Sequence, residues 1–155
     1  MTTIRQAVSK SDIEAALALF RRYAASLPFS LSYQGFEAEL AGLPAPYVPP
    51  EGGLLLARRA ADYLGTVGLK RLGNGIAEIK RLYVVPEARG RGLGRMLLTR
   101  IVDEARRKQY GRVRLDSDRR SMAQAIALYH ALGFVEIPAY GPDLDGRIAF
   151  FEKLL

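Results

Sequence analysis

The sequence predicts an α/β or α+β fold built on a mixed sheet, and three observations lead there. Strand-like segments come in runs rather than in strict alternation with helices, which argues against a fully doubly wound sheet. A strand, a long amphipathic helix and another strand follow one another between Ile76 and Leu115, the pattern of a crossover between parallel neighbours. Only Gly42 to Gly53, with four prolines and paired Gly52-Gly53, reads as a linker, and there is no internal repeat. With 155 residues, 49% of them hydrophobic, the chain is expected to form one domain over residues 1–155. A chain of about 150 residues buries roughly 68–70% of its unfolded surface, enough for a single core.

Taken in order, Ile4 to Val8 reads as a short strand. Ser11-Asp-Ile-Glu14 has capping-box spacing and opens a helix with apolar Ile13, Leu17, Phe20, Ala24 and Leu27, which Pro28 ends. A short helix carrying Tyr33, Phe36 and Leu40 on one face follows, weakened by Gly35. Strands are predicted over Leu54–Arg58, Tyr63–Arg71 and Ile76–Val85, the last two joined by a Gly73-Asn-Gly75 turn. A helix from about Gly92 to Gln109 has an apolar stripe of Leu93, Leu97, Ile101 and Ala105 beside Met96, Leu98 and Val102, and Gly111 closes it. Val113–Leu115 is a strand core. Ser121-Met-Ala-Gln124 caps another helix that Gly133 terminates, and Phe134–Ile137 and Arg147–Lys153 are the last strands.

Composition removes several chemistries. No cysteine is present, which excludes disulfides, thiolate metal sites and cysteine nucleophiles, and a single His130 leaves no His-rich metal site. Catalysis falls to carboxylates, tyrosine, serine or the backbone. No apolar run approaches the roughly 20 residues of a membrane span, and the first residues lack the apolar stretch of a signal peptide, so a cytoplasmic protein without a membrane partner is expected. Charge is unevenly placed. From Lys80 to Arg120 there are 13 Lys plus Arg against 5 Asp plus Glu, whereas the rest of the chain has 10 against 11. About a quarter of the chain therefore carries the whole positive excess, which points to a local anionic partner or to a solvated basic helix face.

The segment Leu82-Tyr-Val-Val-Pro-Glu-Ala-Arg-Gly-Arg-Gly-Leu-Gly-Arg95 runs from strand into helix. Glycines at 90, 92 and 94 permit positive φ and let a ligand approach the backbone. Successive amides then point into one concavity, at a helix end carrying about +0.5 of an elementary charge. A diphosphate suits this arrangement, with Arg89, Arg91 or Arg95 beside it. A Walker loop is excluded, since no Lys-Ser or Lys-Thr pair follows the glycines. A dinucleotide turn is opposed by Arg95 and Leu97 where its third glycine belongs, by Pro86 to Arg89 between strand and glycine, and by chain length, although Asp116 sits at the end of the next strand.

Arg89-x-x-Gly92-x-Gly94 after Leu82-Tyr-Val-Val-Pro86, followed by Ala125-Ile-Ala-Leu-Tyr-His-Ala-Leu-Gly-Phe134, resembles the GNAT superfamily of N-acetyltransferases from about Leu54 to the end. The resemblance implies a mixed, mostly antiparallel central sheet of six to seven strands flanked by helices. It implies acetyl-CoA as donor, with the pyrophosphate on the amides of Arg89, Gly90, Arg91, Gly92, Leu93 and Gly94, and Arg95 adjacent. The pantetheine arm would lie along Leu82, Tyr83 and Val84, as an added strand on a splayed edge.

For the chemistry, Glu78 is the candidate base, a carboxylate flanked by Ala77 and Ile79 in the strand that leads to the loop. Its alternative role is pairing with Lys80, Lys70 or Arg71. Tyr129 shares a helix face with Met122, Ala125 and Ile126, so spacing alone makes it a core aromatic; the resemblance makes it the general acid at the CoA sulfur. The family often carries Asn seven residues before this tyrosine, and here Met122 stands there. The acceptor is expected to be a small-molecule or peptide amine, received by Leu27–Leu43 and Tyr140–Arg147 with Tyr33, Phe36, Tyr140, Asp143 and Asp145. A nucleic-acid-binding module is the rival, but only Tyr83 and Tyr110 interleave the basic segment from Lys80 to Arg120, and no nucleic-acid partner is expected. A homodimer is compatible with the sequence.

Overall fold

A computed structural model describes all 155 residues. Seven strands form one sheet in the order β1-β2-β3-β4-β5-β7-β6: β1 Thr2–Gln6, β2 Gly53–Arg59, β3 Asp62–Gly73, β4 Ile76–Val84, β5 Arg112–Asp118, β6 Val135–Ile137 and β7 Ile148–Leu154. Every pairing is antiparallel except β4 with β5. The helices are α1 Lys10–Ser26, α2 Phe36–Gly42, α3 Leu93–Arg107 and α4 Ala123–Ala131. The mixed, mostly antiparallel sheet of the sequence reading is present.

Residues are buried consecutively along β2 from Gly53 to Ala57 and along β3 from Gly65 to Leu69. Unbroken burial of this kind means that both sheet faces are covered. The amphipathic stripe of α3 supplies part of the cover, with Leu93, Leu97, Leu98, Ile101, Val102 and Ala105 buried. Met96, placed beside that stripe from sequence, is instead 46% exposed. From α1, Ala16, Leu19 and Phe20 enter the same core. Each fully buried Leu, Ile or Phe contributes about 1.5–3 kcal/mol relative to exposure.

Several local readings are corrected. The capping box of α1 is built from Ser9 and Asp12, not from Ser11 and Glu14: Asp12 N donates to Ser9 Oγ at 3.0 Å, and Ser9 N donates to Asp12 Oδ2 at 3.3 Å. The single short helix expected around Phe36 is two pieces, a 3₁₀ turn Leu31–Gln34 and α2, parted at Gly35 with φ 68°. The residue that leaves α3 in the left-handed region is Gln109 (φ 67°) rather than Gly111. Ser121 does not cap α4; Met122 occupies the cap position and Ser121 turns its hydroxyl to Asp118. Gly133 does end α4, with φ 90° and the following Phe134 N donating to Tyr129 O at 3.0 Å.

Candidate active site

The feature that makes a site is the shortness of the β4–β5 ladder. Only Ile76, Ala77 and Glu78 pair with Arg112, Val113 and Arg114, although β4 continues to Val84 and β5 to Asp118. Beyond those three rungs the strands separate. A cleft of about 710 Å³ fills the gap, walled by β4 from Ile79 to Val84, by the loop into α3, by Leu115 and Asp116 of β5, by the start of α4 with Tyr129, and by Tyr23 and Ser26 of α1 with Leu27 just after it. That size is ordinary for a small-molecule site.

At one end of the cleft, the loop into α3 presents its backbone. The amides of Gly90, Arg91, Gly92, Leu93, Gly94 and Arg95 donate to no backbone carbonyl, and no side chain caps the helix. Gly90 and Gly92 stand at φ 80° and 76°, a conformation that would strain any other residue. These six donors and the helix dipole make a cradle for an anion. Of the residues expected there, Leu82, Tyr83, Val84, Arg89, Gly90, Gly92, Leu93, Gly94 and Arg95 line the cleft, while Arg91 is exposed outside its wall. Arg89 Nε donates to Val84 O at 3.0 Å, and its guanidinium lies 5.6 Å from the Tyr83 ring centroid. The loop is thereby latched to the open edge of β4.

Tyr129 reaches the same cleft from α4. Its ring is wedged between Phe134 and Phe151, at centroid separations of 5.9 and 5.7 Å. Burial pushes its pKa up to about 12, with the Ser117 hydroxyl pulling the other way. Met122, standing where an asparagine was expected, uses its sulfur as an acceptor, from Ser117 Oγ at 2.9 Å and Asp118 N at 3.4 Å.

Residues 16–134 match the model of the acetyltransferase (GNAT) family. The chain belongs to that family. It is 33% identical over 131 residues to an uncharacterized N-acetyltransferase of Schizosaccharomyces pombe, covering 83% of this chain and 80% of that one. Its fold is similar to an acetyltransferase of the GNAT family from Staphylococcus aureus, with TM-score 0.81, 21% identity and coverage of 100% and 99%. The PaiA N-acetyltransferase of Thermoplasma acidophilum, whose structure is a complex with coenzyme A, superimposes with TM-score 0.73 at 21% identity over 100% of this chain and 99% of that one. Family membership makes this protein an acyltransferase, and no helix in it is long and apolar enough to cross a membrane.

Of the two roles that the sequence left open for Glu78 in this GNAT protein, the structure shows the cross-strand pairing with Lys70. Glu78 is 5% exposed and does not line the cleft. Its Oε2 accepts from Tyr140 Oη at 2.7 Å, and its Oε1 lies 3.6 Å from Lys70 Nζ, its cross-strand neighbour. Asp116, which does line the cleft, has Lys80 Nζ at 3.9 Å; burial raises its pKa above the ordinary aspartate value, with Lys80 opposing. Among the residues expected at the acceptor end, Phe36 is buried beneath Arg81, Tyr140 is held by Glu78, and Asp143 and Asp145 lie exposed on a loop.

One group escaped the sequence reading. Arg81 sits at a bulge in β4 with φ 61°, only 4% exposed. Its Nε and Nη2 donate to both oxygens of Glu39 at 2.9 and 2.7 Å, and its Nη1 donates to Gln34 Oε1 at 2.9 Å. Glu39 also accepts from Tyr47 Oη at 2.8 Å. Burial would raise the Glu39 carboxyl, but Arg81 and Tyr47 outweigh it and hold the pKa low. This bracket fastens α2 and the turn before it to the strand that walls the cleft. The partners lie 42 and 47 residues away along the chain, so no local pattern announces them.

Proposed function

We propose that this protein moves an acetyl group from acetyl-CoA to a primary amine by direct attack within a ternary complex. The observation that carries the reading is the run of six unpartnered amides, Gly90 to Arg95, at the mouth of a cleft opened between β4 and β5. Those donors fit a diphosphate, each charge-assisted bond contributing roughly 1.5–3 kcal/mol. Arg95 adds positive charge from the cleft wall and Arg91 from outside it, and Arg89 keeps the loop against β4. The edge at Leu82, Tyr83 and Val84 receives an amide-bearing arm as an added strand. Bound there, acetyl-CoA supplies an activated acyl thioester.

Tyr129 is the group we assign to the sulfur. A thiol has a pKa near 8.5, so complete transfer from a phenol held at about 12 is uphill by roughly 5 kcal/mol. That magnitude favours a relay: Tyr129 Oη donates to the departing sulfur while it accepts the proton shed by the attacking nitrogen. Most of the acceleration comes from holding amine and thioester together. Glu78 is given a positioning role, fixing Tyr140 beside the end of the β4–β5 ladder. The acceptor is read as a small-molecule or peptide amine.

Calorimetry with acetyl-CoA, NADH and a DNA duplex in parallel tests the reading, followed by thiol release against a panel of amines. Binding of acetyl-CoA alone is the expected result. Uptake of NADH or the duplex in its place refutes the assignment.

A further inference from the structure

Four tyrosines of this chain spend their hydroxyl proton on an oxygen of the protein. Tyr47 donates to Glu39, Tyr63 to Asp12, Tyr110 to the Glu51 carbonyl and Tyr140 to Glu78. Tyr33, in the turn before α2, does the opposite: its Oη accepts, from Gln34 Nε2 at 2.9 Å, and donates to no protein atom. The direction of that bond is forced by what holds the other end of the amide. Gln34 Oε1 faces two cations, Lys80 Nζ at 3.0 Å and Arg81 Nη1 at 2.9 Å, and neither has a lone pair to offer an NH2 group. The amide oxygen must therefore lie on the side of β4 and the amide nitrogen on the side of Tyr33. With Gln34 donating to it, the Tyr33 hydroxyl keeps its own proton for another partner, and the residue is only partly buried.

Lys80 places this pair beside the cleft. It lines the wall, 3.9 Å from Asp116 across the gap between β4 and β5, and a single side-chain amide separates it from Tyr33. An ammonium group has three protons; Gln34 takes one and Asp116 lies near another, which leaves the third. Arg81, bound to both Gln34 and Glu39, fixes the turn that carries the phenol. A bare alkylammonium ion only donates and has nothing to give these donors. An amine with a carbonyl or carboxylate oxygen close to its nitrogen has.

We propose that Tyr33, held as a donor by Gln34, selects amines that carry a carbonyl or carboxylate oxygen near the nitrogen: amino acids, their amides or peptide N-termini. The inference rests on the acetyl-transfer reading and narrows its acceptor. Tyr33 is the specificity-determining residue, and Gln34 is a positioning residue that acts through it.

The test uses the full chain, labelled with nitrogen-15 and loaded with CoA, in NMR titrations at about pH 6, where glycinamide and isobutylamine are both protonated. The two amines share one branched frame, but only glycinamide has an oxygen. Glycinamide is expected to bind about 3- to 10-fold tighter, the worth of one neutral hydrogen bond. Glycine, in a third arm, tells the two oxygen sources apart: tighter binding than glycinamide assigns free amino acids, weaker binding assigns amides and peptide N-termini. Tyr33→Phe is expected to abolish the preference for glycinamide over isobutylamine. Gln34→Glu should abolish it with the phenol intact, because a carboxylate there still accepts from Lys80 and Arg81 but takes the Tyr33 proton as well. The double variant should lose no more than either single one. Both single variants are expected to keep the wild-type Tm and acetyl-CoA affinity, and Tyr33→Phe decides alone if Gln34→Glu does not fold. A wild type that binds glycinamide no tighter than isobutylamine overturns the proposal. So does a folded variant that keeps the preference, or one that loses it only together with acetyl-CoA affinity. Wild-type affinity for acetyl-CoA separates the two levels: its absence sinks the acetyl-transfer reading, whereas intact binding confines a failure to Tyr33 and Gln34.

Discussion

Replacing Gly94 by alanine separates cofactor binding from folding. Gly94 lies in the first turn of α3, outside the left-handed region, and a Cβ there would meet Val84 Cγ2 at 3.9 Å and Leu128 Cδ2 at 4.0 Å, ordinary contact distances. The fold therefore accepts the methyl group, and a helical Gly→Ala exchange stabilises by about 0.5–1 kcal/mol. At Gly92, by contrast, φ is 76° and the same exchange costs about 1–2 kcal/mol of folding energy. The new methyl at 94 would project between β4 and α4, in front of the amides proposed to hold the diphosphate. Displacing one charge-assisted bond of roughly 1.5–3 kcal/mol raises Kd by about 10- to 100-fold. Titration calorimetry with acetyl-CoA and a thermal melt, run on one preparation, read both quantities. We expect a Tm equal to or above wild type together with the weakened affinity. A Kd within about threefold of wild type in that stable variant would refute the argument that the amides of this turn hold the cofactor.

Three further outcomes follow from the same geometry. Tyr129→Phe should lower kcat by about 100-fold while leaving the Kd for acetyl-CoA nearly unchanged, as measured by thiol release and calorimetry. Glu39→Ala should destabilise the fold by about 3–5 kcal/mol in urea denaturation, because it strands the buried Arg81 guanidinium; Glu39→Asp tests whether a shorter carboxylate restores part of that loss. Burial alone would raise the Asp118 carboxyl, but Arg147, Ser121 and two backbone amides outweigh it and bring it from 3.8 down to about 2. A depressed carboxyl contributes stability above its unfolded pKa and loses it as pH falls through the folded value, so Asp118→Asn should be about 2 kcal/mol less stable than wild type at pH 7. The difference should narrow to about 1 kcal/mol near pH 3, and equal gaps at the two pH values would contradict the assignment.

Much of the fold was legible because its elements are locally encoded. The Gly73-Asn-Gly75 turn, the stripe from Leu93 to Ala105 and the chain reversal at Gly133 each declare themselves within a few residues. The loop from Arg89 to Arg95 was legible for the same reason, since a strand, a glycine-rich turn and a helix follow in sequence. What escaped depends on distant partners. Arg81 takes a left-handed conformation inside a strand because Glu39, far along the chain, holds its guanidinium. Glu78 looked like a base because strand alternation cannot reveal that Tyr140, on a loop after β6, would occupy its oxygen. Asp116 was noticed only for its distance from the glycines. It lines the cleft because β4 and β5 part before they reach it.

The three-rung β4–β5 ladder divides the sheet into two leaves, β1 to β4 and β5 with β7 and β6, joined by a narrow spine. A molecule laid along the open edge of β4 becomes a rivet across the gap, adding to the few links the polypeptide makes there, such as Lys80 to Asp116 and Tyr140 to Glu78. Filling the gap should therefore stiffen the outer ends of β4 and β5 together, far more than the paired strands on either flank. The protein's tightest mechanical state is then the one in which its reagent is in place.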